Sequence, residues 1–147
     1  MSDPSLPDMS LGMNSVPQAQ AIGLEMISVS PGRGVMRVPF REDLVGDPAT
    51  GVIAGGVVTT LLDHCCGMAV GSAAAMGTEG SFSTATLDLR IDYMRPAAPG
   101  ASVTAEAHCY KHTHAIGFVR AIAHDGNPDD PVATAQAAFF LNRATAR

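Results

Sequence analysis

GGVVTTLLDHCCGMAVGSAAAM, residues 55–76, is the stretch that decides the fold. In it Val57, Val58, Leu61, Leu62, Cys65, Met68, Ala69 and Ala73 recur at three- and four-residue spacing, the period of an α-helix. At 1.5 Å per residue a helix from Val57 to about Met76 extends about 30 Å. It is apolar around most of its circumference, which marks a helix enclosed by other structure rather than one resting on a surface. The rest of the chain must supply the enclosure.

Working outward, the period changes from 3.6 to 2. Upstream, Ile22, Leu24 and Met26 alternate, a Ser30-Pro31-Gly32-Arg33-Gly34 turn follows, and Met36, Val38 and Phe40 alternate again. This predicts a hairpin, with Pro39 at an edge or strand end. Downstream of a turn at Gly77 to Gly80, residues 86–93 alternate polar and apolar throughout, and further strands are expected over 103–110, 116–124 and 132–141. Short turns between consecutive strands argue for an antiparallel meander, so the expected class is α+β, a sheet curled over one buried helix. The Pro- and Ser-containing residues 1–20 show no periodicity and read as a flexible tail, leaving 21–147 as one domain.

Composition narrows the function classes. The chain has 147 residues, 46% hydrophobic and 16% charged, enough for one globular core. Its net charge is −5, Lys111 is its sole lysine, and it has no Trp. That is a poor match to the basic footprint and stacking platforms of nucleic-acid binders. The first basic residue is Arg33, so the basic flank of a secretory signal is missing and a cytoplasmic location is expected. The longest apolar stretch, Val57 to Val70, is interrupted by Asp63 and His64 and is short for a membrane span. Cys65, Cys66 and Cys109 form neither a disulfide framework nor a zinc spacing and read as free buried thiols.

Within the helix Asp63 is the anomaly, since a carboxylate among Leu61, Leu62, Cys65 and Cys66 is costly unless it is hydrogen-bonded or functional. Thr59 and Thr60 lie one turn before it and Gly67 one turn after. A structural hydrogen bond from either threonine would account for it without any chemistry. Gly55-Gly56 opens the helix, where free N–H groups favour an anion and the missing side chains admit one. A simple tight turn explains such a pair equally well. Gly56 and Asp63 are two turns apart on one side of the helix, about 10 Å, too far to touch a single atom, which suggests a second partner from another subunit. His112 and His114 share a strand face but lack supporting ligands, so no metal site is expected. No GxSxG, P-loop or dinucleotide fingerprint is present.

Two segments together, Asp47-Pro48-Ala49-Thr50-Gly51-Val52-Ile53-Ala54-Gly55-Gly56 through Asp63 and Leu87-Asp88-Leu89-Arg90-Ile91-Asp92-Tyr93-Met94-Arg95-Pro96-Ala97, are specific. They resemble the hotdog-fold acyl-CoA thioesterases of the phenylacetate-pathway type, whose pattern is an Asn, a Gly, His-Gly-Gly, an Asp nine residues after that His, and a later Tyr-x-x-Pro-Ala. The resemblance covers about residues 22–142. It implies that Asp63 activates water or attacks the thioester, that Gly56 offers an amide to the thioester oxygen, and that Thr86 helps to position the water. It implies further that Gly55 and Thr60 line the site, that Arg90, Arg95, Lys111 and His114 face the phosphates, and that coenzyme A enters only as part of the substrate. A homodimer or dimer of dimers is expected, because a sheet curled over one helix leaves open edges.

The chain also departs from that pattern. Ala54 stands where relatives have His, and Asp47 lies near the position of their Asn. A second carboxylate in the same pocket would raise one of the two pKa values. Thr113 and His114 stand in a region that in relatives reads basic-Gly-basic. Strand parity points Thr86 away from the side of Leu87, Leu89 and Ile91. Two readings follow: a thioesterase acting on acyl- or aryl-acyl-CoA, or an acyl-CoA-binding hotdog protein that has lost catalysis. A dehydratase fits less well, since that chemistry wants the missing histidine.

Overall fold

The computed structural model describes residues 15–75 and 82–143. The first part of the expected tail, the turn at Gly77 to Gly80 and Met76 lie outside the described residues. A short helix α1 (Pro17–Ala21) leads into the hairpin β1 (Glu25–Ser30) and β2 (Arg33–Val38). After a 3₁₀ turn come the small pair β3 (Val45–Asp47) and β4 (Val52–Ile53), then the central helix α2 (Gly55–Ala75). Four long strands complete the fold: β5 (Phe82–Tyr93), β6 (Val103–His112), β7 (Ile116–His124) and β8 (Ala133–Arg143). The class is α+β with the hotdog architecture, an antiparallel sheet wrapped around one helix.

Helix α1 begins inside the stretch read as a tail. Pro17 stands in its first turn, where a missing N–H is no loss. Ala19 is buried and its carbonyl accepts the Leu24 N–H at 3.0 Å, so this part is tied to the start of β1.

Strand order is β1-β2-β6-β7-β8-β5, which corrects the simple meander. Beyond the β1–β2 hairpin, β6, β7 and β8 run as neighbours in chain order, while β5 lies at the far edge, paired with β8 from Phe82↔Arg143 to Tyr93↔Ala133. The reason is the connection 94–102, which crosses the end of the sheet instead of turning back. Its Met94 N–H bonds the Val132 carbonyl, its Ala98 N–H the Asp125 carboxylate, and its Ser102 Oγ accepts the Phe40 N–H. It thus passes β8, β7 and β2 in turn.

The sheet approaches α2 closely because its inner face is built from small residues. Ala105, Ala107, Ala121, Ala123, Ala135 and Ala137 point inward from β6, β7 and β8. At Gly117 even a methyl group would fall inside the Val70 side chain, and at Gly34 it would lie 2.6 Å from Met68 Cε. Dense packing of this kind leaves no slack for added atoms. The helix is long and apolar enough to cross a membrane, yet 67% of its most apolar window is buried within the protein. Ser72, fully buried, accepts the Gly32 N–H at 3.1 Å and lies 3.0 Å from the Ser30 carbonyl, pinning the β1–β2 turn. That turn uses Pro31 followed by Gly32 at φ 72°, a left-handed conformation that glycine accepts without strain. All three cysteines are free and buried, and loss of solvation pushes the Cys65 thiol up to about 12 and raises those of Cys66 and Cys109.

Candidate active site

The first three turns of α2 and the inner side of β5 meet along one seam. Asp63, half-buried, accepts a 2.7 Å hydrogen bond at Oδ1 from the Thr86 hydroxyl. Among the described residues no cation pairs with it, and Oδ2 has no bonded partner. A carboxylate steadied by one neutral donor, with its other oxygen open, can take a proton from water or attack a carbonyl.

Thr86 faces the helix, contrary to its strand parity. A β-bulge between Thr86 and Asp88 inserts one unpaired residue opposite β8 and resets the alternation. Before it Thr84 and Thr86 point toward α2; after it Leu89, Ile91 and Tyr93 do. Leu87, the extra residue, is 57% exposed. The bulge therefore lets one strand present a hydroxyl to Asp63 and still cover the helix with apolar residues farther on.

At the helix N-terminus, Gly55 and Gly56 are exposed and neither has positive φ. Turn geometry does not demand glycine here. A Cβ on Gly56 would meet nothing within 4 Å, so the space beside its amide is open. The amides of Gly55 and Gly56 precede the helical ladder and carry no recorded partner among the described residues. The carbonyl of Ala54 starts that ladder by accepting from Val57 (3.0 Å) and Val58 (3.3 Å). Ala54 itself abuts β3: a Cβ on Gly46 would stand 3.3 Å from its Cα and Cβ.

The threonines of the seam serve the backbone. Thr60 Oγ1 donates to the Gly56 carbonyl at 3.0 Å rather than to Asp63, and Thr59 Oγ1 donates to the Gly55 carbonyl at 3.0 Å. The Tyr93 hydroxyl, close against that of Thr59, also donates to the Gly55 carbonyl, at 2.9 Å. Sequence reasoning gave Tyr93 no role; its parity with Leu89 and Ile91 and its place at the strand end were the available signals.

Other expected residues lie elsewhere or are occupied. Asp47 is exposed and its carboxylate accepts the Ala49 N–H at 3.0 Å, shaping its own turn. Arg90 pairs with its strand neighbour Asp92 at 3.2 Å and stays 75% exposed. Arg95, expected to face the phosphates, is engaged within the chain. Its guanidinium makes two hydrogen bonds to Asp125, at 2.7 and 2.9 Å, and others to the carbonyls of Pro96 and Asp130. Those bonds hold Asp125 well below the usual carboxylate range. The reason is non-local: both acids come from the β7–β8 connection. Lys111 and His114 are exposed at the β6–β7 turn. Lys111 pairs with Phe118 beside Gly117, which packs on Val70, seven residues and about 10 Å beyond Asp63. Within one chain they flank the other end of the helix from Gly56.

Comparison with known proteins agrees with the fold. A family model described as the thioesterase superfamily matches residues 50–132, more than half of the chain. Human acyl-coenzyme A thioesterase 13 is 27% identical over 95 residues, covering 65% of this chain and 63% of that protein. The chain spans from one half to less than two thirds of the length of the curated relatives it matches. Among solved structures, a Pseudomonas aeruginosa protein superposes with a TM-score of 0.74 at 34% identity, covering 86% of this chain and 91% of that one. A variant of the phenylacetic acid degradation protein PaaI from Thermus thermophilus gives 0.69 at 26% identity, covering 85% and 98%.

Proposed function

The chain belongs to the thioesterase superfamily, and from that premise we propose that it hydrolyses an acyl- or aryl-acyl-CoA thioester to the free acid and CoA. The observation that carries this reading is Asp63, a half-buried carboxylate in an apolar helix, held by one neutral hydroxyl and paired with no cation among the described residues. Asp63 serves as base or nucleophile, Thr86 fixes its plane, and the Gly56 N–H, at the positive end of the helix dipole, stabilises the oxyanion. The relation to acyl-coenzyme A thioesterase 13 supports the CoA ester as substrate.

Gly56 and Asp63 of one helix are about 10 Å apart along its axis, so the reacting carbonyl meets the amide of one subunit and the carboxylate of another. A homodimer, or a pair of them, completes the site. The free edge of β5, which carries Thr86 and Tyr93, supports this arrangement. Ala54 favours a second reading, acyl-CoA binding without turnover, because this position carries no imidazole.

The test follows thioester absorbance over short, medium, long and aryl acyl-CoA esters for the parent and Asp63→Asn, with light scattering for subunit number. Hydrolysis lost in the variant supports the enzyme; equal rates refute Asp63 as its centre. Saturable binding with no turnover in either protein favours the second reading. A monomer refutes the shared site.

A further inference from the structure

We propose that Tyr93 is a positioning residue for the oxyanion amide, acting through the Gly55–Gly56 peptide; the proposal rests on the thioesterase reading above. The Gly55 carbonyl and the Gly56 N–H are two ends of one planar peptide unit and point in opposite directions. Whatever fixes the carbonyl therefore aims the N–H. Two glycines flank this peptide, and with no Cβ on either side it is the unit of the helix with the greatest freedom to rotate.

The carbonyl is held both by the next turn of the helix, through Thr59, and from outside it, by Tyr93 of β5. Tyr93 Oη lies 2.9 Å and Thr59 Oγ1 3.0 Å from it, and the two hydroxyls touch each other. Two protons serve these three contacts. Either each hydroxyl donates to the carbonyl, or Tyr93 donates to Thr59, which donates onward. In both arrangements at least one proton falls on the Gly55 oxygen. Such a bond withdraws charge from the carbonyl and makes the N–H at the other end of the same amide a stronger donor. The Tyr93 ring also lies 3.7 Å from where a Cβ of Gly55 would stand, closing one side of the peptide, while the side beside Gly56 stays open. Tyr93 itself is 52% exposed, so its hydroxyl is not needed to fill the core.

The strand explains how this is built. Thr86 before the bulge orients the carboxylate and Tyr93 after it orients the amide, so a single strand sets the carboxylate of one shared site and the amide of the other.

The experiment measures kcat and KM of Tyr93→Phe, Thr59→Val and Thr59→Ser on the CoA ester that the parent hydrolyses fastest. It also records the infrared carbonyl band of that ester, labelled with 13C at the thioester, bound to Asp63→Asn with and without Tyr93→Phe. The expected result is a kcat at least tenfold lower in Tyr93→Phe with KM within twofold, since small misplacements of a catalytic group carry penalties of about that size or more. Thr59→Val also loses rate, and Thr59→Ser regains it. The downshift of the bound carbonyl band shrinks when Tyr93 loses its hydroxyl. A kcat within twofold of the parent, or an unchanged band, overturns the proposal while the loss of turnover in Asp63→Asn leaves the enzyme reading standing. If the parent hydrolyses no ester of the panel, both fall together. Thermal midpoints of the variants separate a lost bond from a lost fold.

Discussion

The two halves of the central helix use the same residue types to opposite ends. From Gly55 to Asp63 only Val58, Leu61 and Leu62 are buried, whereas from His64 to Ala75 all but two residues are. Glycine marks the contrast. In the closed half Gly67 is wedged between Phe139 and Thr84, and the sheet's Gly117 lies flat on Val70; in the open half a Cβ on Gly56 would meet nothing within 4 Å. One set of glycines lets the sheet close down, and the other keeps a surface clear. Polar groups divide in the same way. Ser72 in the closed half is satisfied by its turn, while Asp63 in the open half keeps one oxygen without a partner among the described residues.

If that contrast is right, substitutions in the two halves should part activity from stability. The largest effect belongs to Asp63→Asn: initial-rate measurements should show hydrolysis falling by about a thousandfold, with the melting temperature nearly unchanged because only one hydrogen bond is altered. Comparable losses of rate and of folded protein would erase the distinction. Gly117→Ala should do the reverse. Its methyl group drives into the stiff Val70 side chain, costing about 2 kcal/mol in urea unfolding, while the rate per folded molecule holds. Gly56→Ala sharpens the comparison further, since Ala favours a helix by up to about 1 kcal/mol over Gly and nothing in the chain opposes the methyl. The variant should melt higher and turn over about tenfold more slowly; a variant both stabler and fully active would show that the open space is not used.

The smallest effect concerns a carboxylate outside the helix. Asp125 is spoken for by Arg95 and the Ala98 N–H, and its folded pKa lies below its unfolded value near 4. Its contribution to stability is therefore complete above about pH 4 and is lost as pH falls through the folded value. Asp125→Asn should lower the melting temperature by a few degrees at pH 7, with the gap to the parent narrowing below about pH 4. A gap that stays constant down the acid limb would assign the loss to packing instead.

The periodic parts of the molecule were legible from the sequence. Alternation located β6, β7 and β8, and the three-to-four spacing located α2, because burial acts on every residue of those elements. The pairing of β5 with β8 was not, since alternation within a strand says nothing about its neighbour and the crossing 94–102 resembles a long turn. Pairs β3 and β4 are too short for any period. Asp63 stood out as an acid in an apolar run, and the Gly55-Gly56 pair by composition. The orientation of Thr86 was hidden because the bulge at Leu87 has no side-chain signature, and the fate of Arg95 because its acidic partners lie thirty or more residues away. Tyr93 was visible only as part of a motif; what it holds is a backbone oxygen, and no side-chain pattern records that.

The three sheltered thiols carry a consequence of another kind. With Cys65 raised to about 12 by burial, almost no thiolate exists there at neutral pH, and a disulfide reagent meets little attacking sulfur at this position while the sheet stays wrapped around the helix. Under the proposed hydrolysis a CoA thiol set free would react ahead of these cysteines, and protein labelling would wait on the sheet parting from the helix. Modified cysteines would then keep a running count of the chain's own openings, separate from any count of product formed.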